Sequence, residues 1–155
     1  MIAVRRILCP VDFSETSRHA FEYAVHFAKQ CEAELIVVHA TEDTPLLTNF
    51  GGMPDLNFKS EVEASARKEM AAWVAGCNPG AMRVRTELIR GATYRAILKF
   101  AEEQHADLIV MGTHGRSGLD YAFFGSVAER VIRRAPCPVL IVRHPSIKLP
   151  APPGD

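Results

Sequence analysis

Glycines stand at positions 112, 115, 118 and 125, within Met111-Gly112-Thr113-His114-Gly115-Arg116-Ser117-Gly118 and the later Gly125-Ser126-Val127. This spacing suits a main chain that comes close to an anion. Glycine lets the backbone approach a ligand and take up positive φ, and Ser126 is expected to open a helix as its N-cap. Amides at a helix start have no internal partner, and hydrogen bonds to charged groups contribute roughly 1.5 to 3 kcal/mol each. Several such amides hold a polyphosphate without a dedicated lysine. No G-K-[ST] follows the glycines, so the segment is not a Walker A loop. Arg116 is its unambiguous cation, set either against outer phosphates or in solvent.

Each part of the pattern also has a plainer reading. Ser126 with Glu129 is a capping box that starts a helix with or without a ligand, and Gly112, Gly115 and Gly118 serve equally as turn residues. Their combination points the other way. The 14 residues from Gly112 to Gly125 are long for a strand-to-helix link, and such connections in compact domains usually carry function. His114 lies inside the loop, but no carboxylate is placed to orient it as a base. Gly115-Arg116-Ser117-Gly118-Leu119 lacks the second glycine of a nucleophile elbow. His19 and His26 have no matching carboxylates and read as packing residues. Cys9, Cys31, Cys77 and Cys137 form no C-x-x-C pair and are expected as buried small hydrophobes in a reducing compartment. The residues therefore offer no catalytic group and no metal cluster.

The elements that must position this loop follow from hydrophobic period. Leu108 to Met111 is a short apolar run, a buried strand whose carboxyl end delivers the chain to Gly112. Arg6 to Val11 is a first strand, followed by Asp12-Phe13-Ser14 as a turn with Ser14 as N-cap. From Glu15 to Cys31, Ala20, Phe21, Ala24, Val25, Ala28 and Cys31 make one apolar helical face. Leu35 to Ala40 is a second strand without polar alternation, as both-face burial requires. Thr41 to Phe58 reads as a long loop, and Ser60 with Glu63 as the capping box of a helix reaching about Ala75. That helix is expected to bury Val62, Ala66, Met70, Trp73, Val74 and Cys77 and to stop at Asn78-Pro79-Gly80. Val84 to Ile89 is a less apolar edge strand, and Gly91-Ala92-Thr93 leads into a helix burying Ala96, Ile97, Phe100 and Ala101. Ser126 to Arg134 and Val139 to Val142 complete an alternation of strand and helix, which implies a parallel sheet covered on both faces.

At 155 residues and 48% hydrophobic content the chain reads as one domain, residues 1–144, followed by a proline-rich tail, residues 145–155. A formal net charge of zero excludes the broad positive field of a nucleic-acid binder. No run approaches the roughly 18 apolar residues of a membrane span, so a cytoplasmic protein is expected. Val139-Leu140-Ile141-Val142 is an apolar last strand. An uncovered edge of that kind invites pairing in a homodimer, unless the tail shields it.

Together Pro10-Val11-Asp12-Phe13-Ser14, His39-Ala40, Gly91 and Gly112-x2-Gly115-x9-Gly125-Ser126 resemble the universal stress protein family, in its ATP-binding branch, over nearly the whole chain. The resemblance implies a single-domain α/β/α three-layer sandwich of the adenine nucleotide alpha hydrolase-like type, with five parallel strands in the order 3-2-1-4-5. It implies ATP, or ADP or AMP, between strands one and four, accompanied by Mg²⁺. Asp12 and the main chain of Pro10 and Val11 would lie at the adenosine end, with Ala40 at the adenine edge and Gly112 near the ribose, and Met111 belongs to the same nucleotide-binding set. Gly115, Gly125, Ser126 and Val127 would bind the phosphates, with the Ser126 hydroxyl as a donor, while Arg116 keeps the two alternatives its residue type allows. Asp12 has an equal alternative as a turn former beside Ser14. The implied role is a nucleotide-dependent stress or regulatory module with protein partners that the residues do not identify, hydrolysing ATP weakly at most. A slow ATPase in the same crevice and a nucleotide-free dimeric interaction module are the alternatives.

Overall fold

The computed structural model describes residues 1–42, 56–113 and 125–143. Strand and helix alternate through it as β1 (Arg6–Pro10), α1 (Glu15–Cys31), β2 (Glu34–Thr41), α2 (Leu56–Gly76), β3 (Val84–Arg90), α3 (Thr93–Glu103), β4 (Leu108–Gly112), α4 (Ser126–Arg134) and β5 (Val139–Val142). The strands form one parallel sheet in the order β3-β2-β1-β4-β5, as the resemblance implied. β1 is central, pairing Leu8 with Ile36 of β2 and with Ile109 of β4.

Successive strand residues point to opposite faces, and both faces are apolar. Ile7, Cys9, Leu35, Val37 and Val110 pack with Phe21, Ala24, Met70 and Val74 of α1 and α2. Leu8, Ile36, Val38, Ile109 and Met111 pack with Ala96, Ile97, Ala128 and Val131 of α3 and α4. Two helices on each face give the three layers, because a strand buried on both sides needs a partner on each.

α1 starts where Ser14 caps it, its side chain accepting from the Ser17 N–H at 3.1 Å, and Ala20, Phe21, Ala24, Val25 and Ala28 are buried as expected. Several expectations need correction. β1 ends at Pro10; Val11 adds one further hydrogen bond, N–H to the Val38 carbonyl at 2.8 Å, before the chain turns. α2 begins at Leu56, so Ser60 lies in its second turn and Ser60 with Glu63 is no capping box. Nothing between Pro54 and Ser60 opposes helix, and the helix extends back accordingly. On α2, Met70 and Val74 are buried but Val62 is exposed, and on α3 Phe100 is half-buried. Cys9 alone of the four cysteines is buried; Cys31 is exposed, and Cys77 and Cys137 are intermediate. Most of the expected loop from Thr41, the segment 114–124 and the tail from His144 lie outside the described residues.

At the amino end of the sheet the Asp107 carboxylate accepts the N–H groups of Arg5 and Arg6 at 2.8 and 2.9 Å, joining the start of β1 to the start of β4. Those two bonds, that from Arg5 first, hold the Asp107 carboxyl below its ordinary range. This end is a brace. The opposite end holds the cleft.

Candidate functional site

After β1 the chain turns towards β2 while β4 leads away from it, so the helices that follow these strands diverge above their carboxyl ends. That is the place where open α/β sheets take ligands. A cleft of about 240 Å³ opens there, lined by residues of β1, β2 and β4 and by the first turns of α1, α3 and α4.

The β1–α1 turn forms one wall. Asp12 donates its N–H to the Ser17 Oγ at 3.1 Å, and its Oδ1 accepts from the Ser14 N–H at 3.0 Å and the Ser17 hydroxyl at 2.5 Å. Asp12 is thus a turn former that binds the loop to the start of α1. Phe13 has φ of 65°, the left-handed region, and its ring lies 4.4 Å from that of His39 and 5.9 Å from that of Trp73. His39 donates its Nδ1–H to the Val11 carbonyl at 2.8 Å, tying the end of β2 to the same turn.

The second wall is β4 and the entry to α4. Thr113 donates its N–H to the Val142 carbonyl at 3.1 Å, and its own carbonyl accepts the Gly125 N–H at 2.8 Å. The connection therefore closes on itself, leaving at Thr113 and returning beside it. Gly125 is the N-cap of α4, with φ −59° and ψ 152°, and Ser126 is the first helical residue. The expected Ser126–Glu129 capping box is thus corrected, because the Gly125 carbonyl already accepts the first helical bond, from the Glu129 N–H at 3.0 Å. By helix geometry the N–H groups of Ser126, Val127 and Ala128 have no partner within α4, and all three residues line the cleft. The helix dipole adds partial positive charge at the same point.

The glycines act differently from expectation. Neither Gly112 nor Gly125 has positive φ. A Cβ on Gly112 would stand 2.7 Å from the Thr16 Cγ2 and 3.3 Å from the Thr16 carbonyl carbon and oxygen. Gly112 is required because α1 packs against β4 there. The Gly125 N–H is consumed by Thr113, so Gly125 offers no free amide.

Of the residues singled out in the sequence, Pro10, Val11, Asp12, Ala40, Met111, Gly112, Gly125, Ser126 and Val127 come together around the cleft. Gly115 and Arg116, like His114, lie outside the described residues. Ser17, Val38, Thr93, Ile97, Thr113 and Ala128 also line it and were not anticipated. Val38 was findable, since it shares a strand face with Ala40. Thr93 arrives through the turn after β3, where Gly91 has φ of 118° and donates to the Thr41 carbonyl at 3.2 Å. The Thr93 hydroxyl donates to Glu42 Oε1 at 3.2 Å. Among the described residues no group of three His, Cys, Asp or Glu side chains could hold a metal ion. Asp12 is the carboxylate among the described lining residues.

The sequence model of the universal stress protein family matches residues 3–143. Universal stress protein MJ0531 of Methanocaldococcus jannaschii is 36% identical over 145 residues, covering 91% of this chain and 83% of that protein. Universal stress protein YxiE of Bacillus subtilis is 34% identical over 146 residues, covering 89% of this chain and 98% of that one. Among solved structures, MJ0577 of M. jannaschii superposes with a TM-score of 0.79 at 27% identity, covering 94% of this chain and all of its own. A universal stress protein solved in complex with cAMP superposes with a TM-score of 0.63 at 28% identity, covering 90% of this chain and 97% of its own.

Proposed function

This chain belongs to the universal stress protein family, and we propose that it is a nucleotide-binding member, holding ATP, or ADP or AMP, in the cleft between β1 and β4. One observation carries the reading. The N–H groups of Ser126, Val127 and Ala128 lack helical acceptors and stand at the cleft, where a phosphate chain satisfies them. The cAMP complex of a 28% identical relative supports an adenine nucleotide as ligand.

In this reading the Ser126 hydroxyl, not needed for capping, donates to phosphate alongside the amides of Ser126, Val127 and Ala128. Gly115 and Arg116 complete the phosphate contacts, and Gly125 gives close approach in place of an amide. The main chain of Ala40 meets the adenine edge. Pro10, Val11 and Asp12 line the adenosine end, and Met111 and Gly112 the ribose. The Val11 N–H is committed to Val38, so Val11 contributes a wall there. Mg²⁺ would be held chiefly by nucleotide oxygens and water, with Asp12 as the nearby carboxylate, since a small hard cation often binds with few protein ligands. Occupancy of the cleft would set the angle between α1 and α4 and so change partner contacts, the action of a regulatory module in the cytoplasm.

β5 lies at the sheet edge with Val139, Leu140 and Ile141 half-buried, which supports a homodimer paired through Val139 to Val142. Residues 1–144 form the working domain and 145–155 the tail. Sedimentation showing monomer alone at micromolar concentration would overturn the dimer.

Calorimetric titration with MgATP tests the site. Ser126→Pro deletes one amide and the hydroxyl while keeping α4, because proline suits the first helical position and the extended Gly125 suits the residue before it. Its affinity should fall by at least roughly tenfold, the loss of a single hydrogen bond to a charged group at about 1.5 kcal/mol, and further if the hydroxyl bond is lost with the amide, with thermal stability retained. Ser126→Ala separates the hydroxyl from the amide. Absence of heat with millimolar MgATP in the parent chain, or unchanged affinity in Ser126→Pro, refutes the reading.

A further inference from the structure

Away from the cleft, the outer face of α3 and α4 gathers positive charge around one aromatic ring. Tyr94 is half-buried on α3. Its hydroxyl accepts from the Arg95 Nε at 2.9 Å, and the guanidinium carbons of Arg95, Arg130 and Arg134 lie 5.7, 4.9 and 5.9 Å from its ring centroid. All three arginines are exposed. The hydrogen bond from Arg95, aided by the charges of Arg95, Arg134 and Arg130, holds the phenol below its ordinary pKa.

Among the described residues none of the three is in an ion pair with a carboxylate. Glu129, on the same helix as Arg130 and Arg134, is engaged by Arg133 at 3.2 Å. Arg130 and Arg134 are four apart on one helix, a spacing at which like charges repel. Cation–π contact with Tyr94 offsets part of that repulsion and holds the guanidiniums in place. The local excess stands on a chain whose formal net charge is zero, so it is a patch and not a general field.

We propose that Tyr94, Arg95, Arg130 and Arg134 form a docking surface for an acidic protein segment. Its carboxylates would pair with Arg130 and Arg134 in the planar two-bond geometry that guanidinium favours, with the Tyr94 ring keeping those guanidiniums in place. Three charges over two helices suit a short acidic peptide; duplex or single-stranded nucleic acid is bound by longer basic tracks. The surface shares its helices with the cleft, as Thr93 precedes Tyr94 and Ser126 lies one turn before Arg130, but docking here does not depend on nucleotide binding.

The probe is a fluorescently labelled oligoglutamate peptide, titrated into the full chain at low salt without nucleotide and followed by anisotropy. The parent chain should bind it, with affinity falling as salt rises. Arg130→Gln with Arg134→Gln should weaken binding roughly tenfold, as expected for two partly exposed charge pairs. Tyr94→Ala should weaken it several-fold, because the cation–π contacts that hold the three guanidiniums in place are lost. Arg133→Gln, whose guanidinium is already paired with Glu129, should leave it unchanged, and circular dichroism should be the same for all. No binding at millimolar peptide, or an equal loss in Arg133→Gln, overturns the proposal. Tighter binding of oligothymidylate than of peptide would make the patch a nucleic-acid surface, and dissociation of a dimer by the double substitution would make it a contact between copies; either result also overturns it.

Discussion

Replacing Gly112 by alanine tests whether this glycine serves the ligand or the packing of α1. The new Cβ would lie 2.7 Å from the Thr16 Cγ2, about 1 Å inside the usual carbon–carbon separation, and 3.3 Å from the Thr16 carbonyl carbon and oxygen. Thr16 is 9% exposed and sits beside Ser17, whose hydroxyl bonds Asp12, so α1 cannot move off without loosening the turn. Overpacking of this kind costs about 1–3 kcal/mol, and removing a flexible glycine from the unfolded chain returns about 0.4–1 kcal/mol. The clash wins. The net loss should be about 1–2 kcal/mol, a fall of roughly 2–8 °C in Tm for a chain of this size. Thr16→Ser deletes the Cγ2 and leaves the backbone contacts, so the cost of Gly112→Ala should drop by about 1 kcal/mol in that background. Guanidinium denaturation followed by circular dichroism and by Trp73 fluorescence measures the cycle. If Gly112→Ala is as stable as the parent, or costs the same beside Thr16→Ser, the packing account of this glycine fails.

Three further outcomes are expected. Ser14→Ala removes the cap of α1 and should lower stability by about 1 kcal/mol in the same denaturation assay, while the Asp12 bonds to the Ser14 N–H and to Ser17 are kept. Because the folded Asp107 carboxyl is held below its ordinary value, its contribution is fully present above the unfolded value near pH 3.9 and is lost as pH falls through the lower folded one. Solvent around that end keeps it to about 1 kcal/mol, so Asp107→Ala should cost that amount at neutral pH and show a flatter stability profile below about pH 4. A thiol reagent under native conditions should modify exposed Cys31 first and leave Cys9 untouched until unfolding, since burial pushes the Cys9 thiol far up; peptide mapping identifies the modified residue.

Local spacing was enough for the bounds of α1, α4 and β5, because an apolar face repeating every three or four residues, or an apolar run between prolines, depends on near neighbours alone. It also made legible that β1, β2 and β4 are covered on both sides. Ser60 misled because a capping box is a local signal, and nothing after Pro54 stopped the helix from starting sooner. The strand order came with the family resemblance, not with hydrophobic period.

Long-range contacts decided the rest. Gly125 looks in sequence like an amide for phosphate, yet its N–H goes to Thr113 across the ends of the loop, and the donors that lack an acceptor within α4 fall one to three residues later. Gly112 reads as a hinge and is a packing contact with Thr16, 96 positions earlier. Thr93 and Ile97 reach the cleft because α3, entered from the edge strand β3, packs over β2. Residue types and spacing determine which faces are apolar; which backbone groups at the cleft are already bonded depends on acceptors far away in the chain, as for the Val11 and Thr113 N–H groups, and only the assembled sheet brings those within reach.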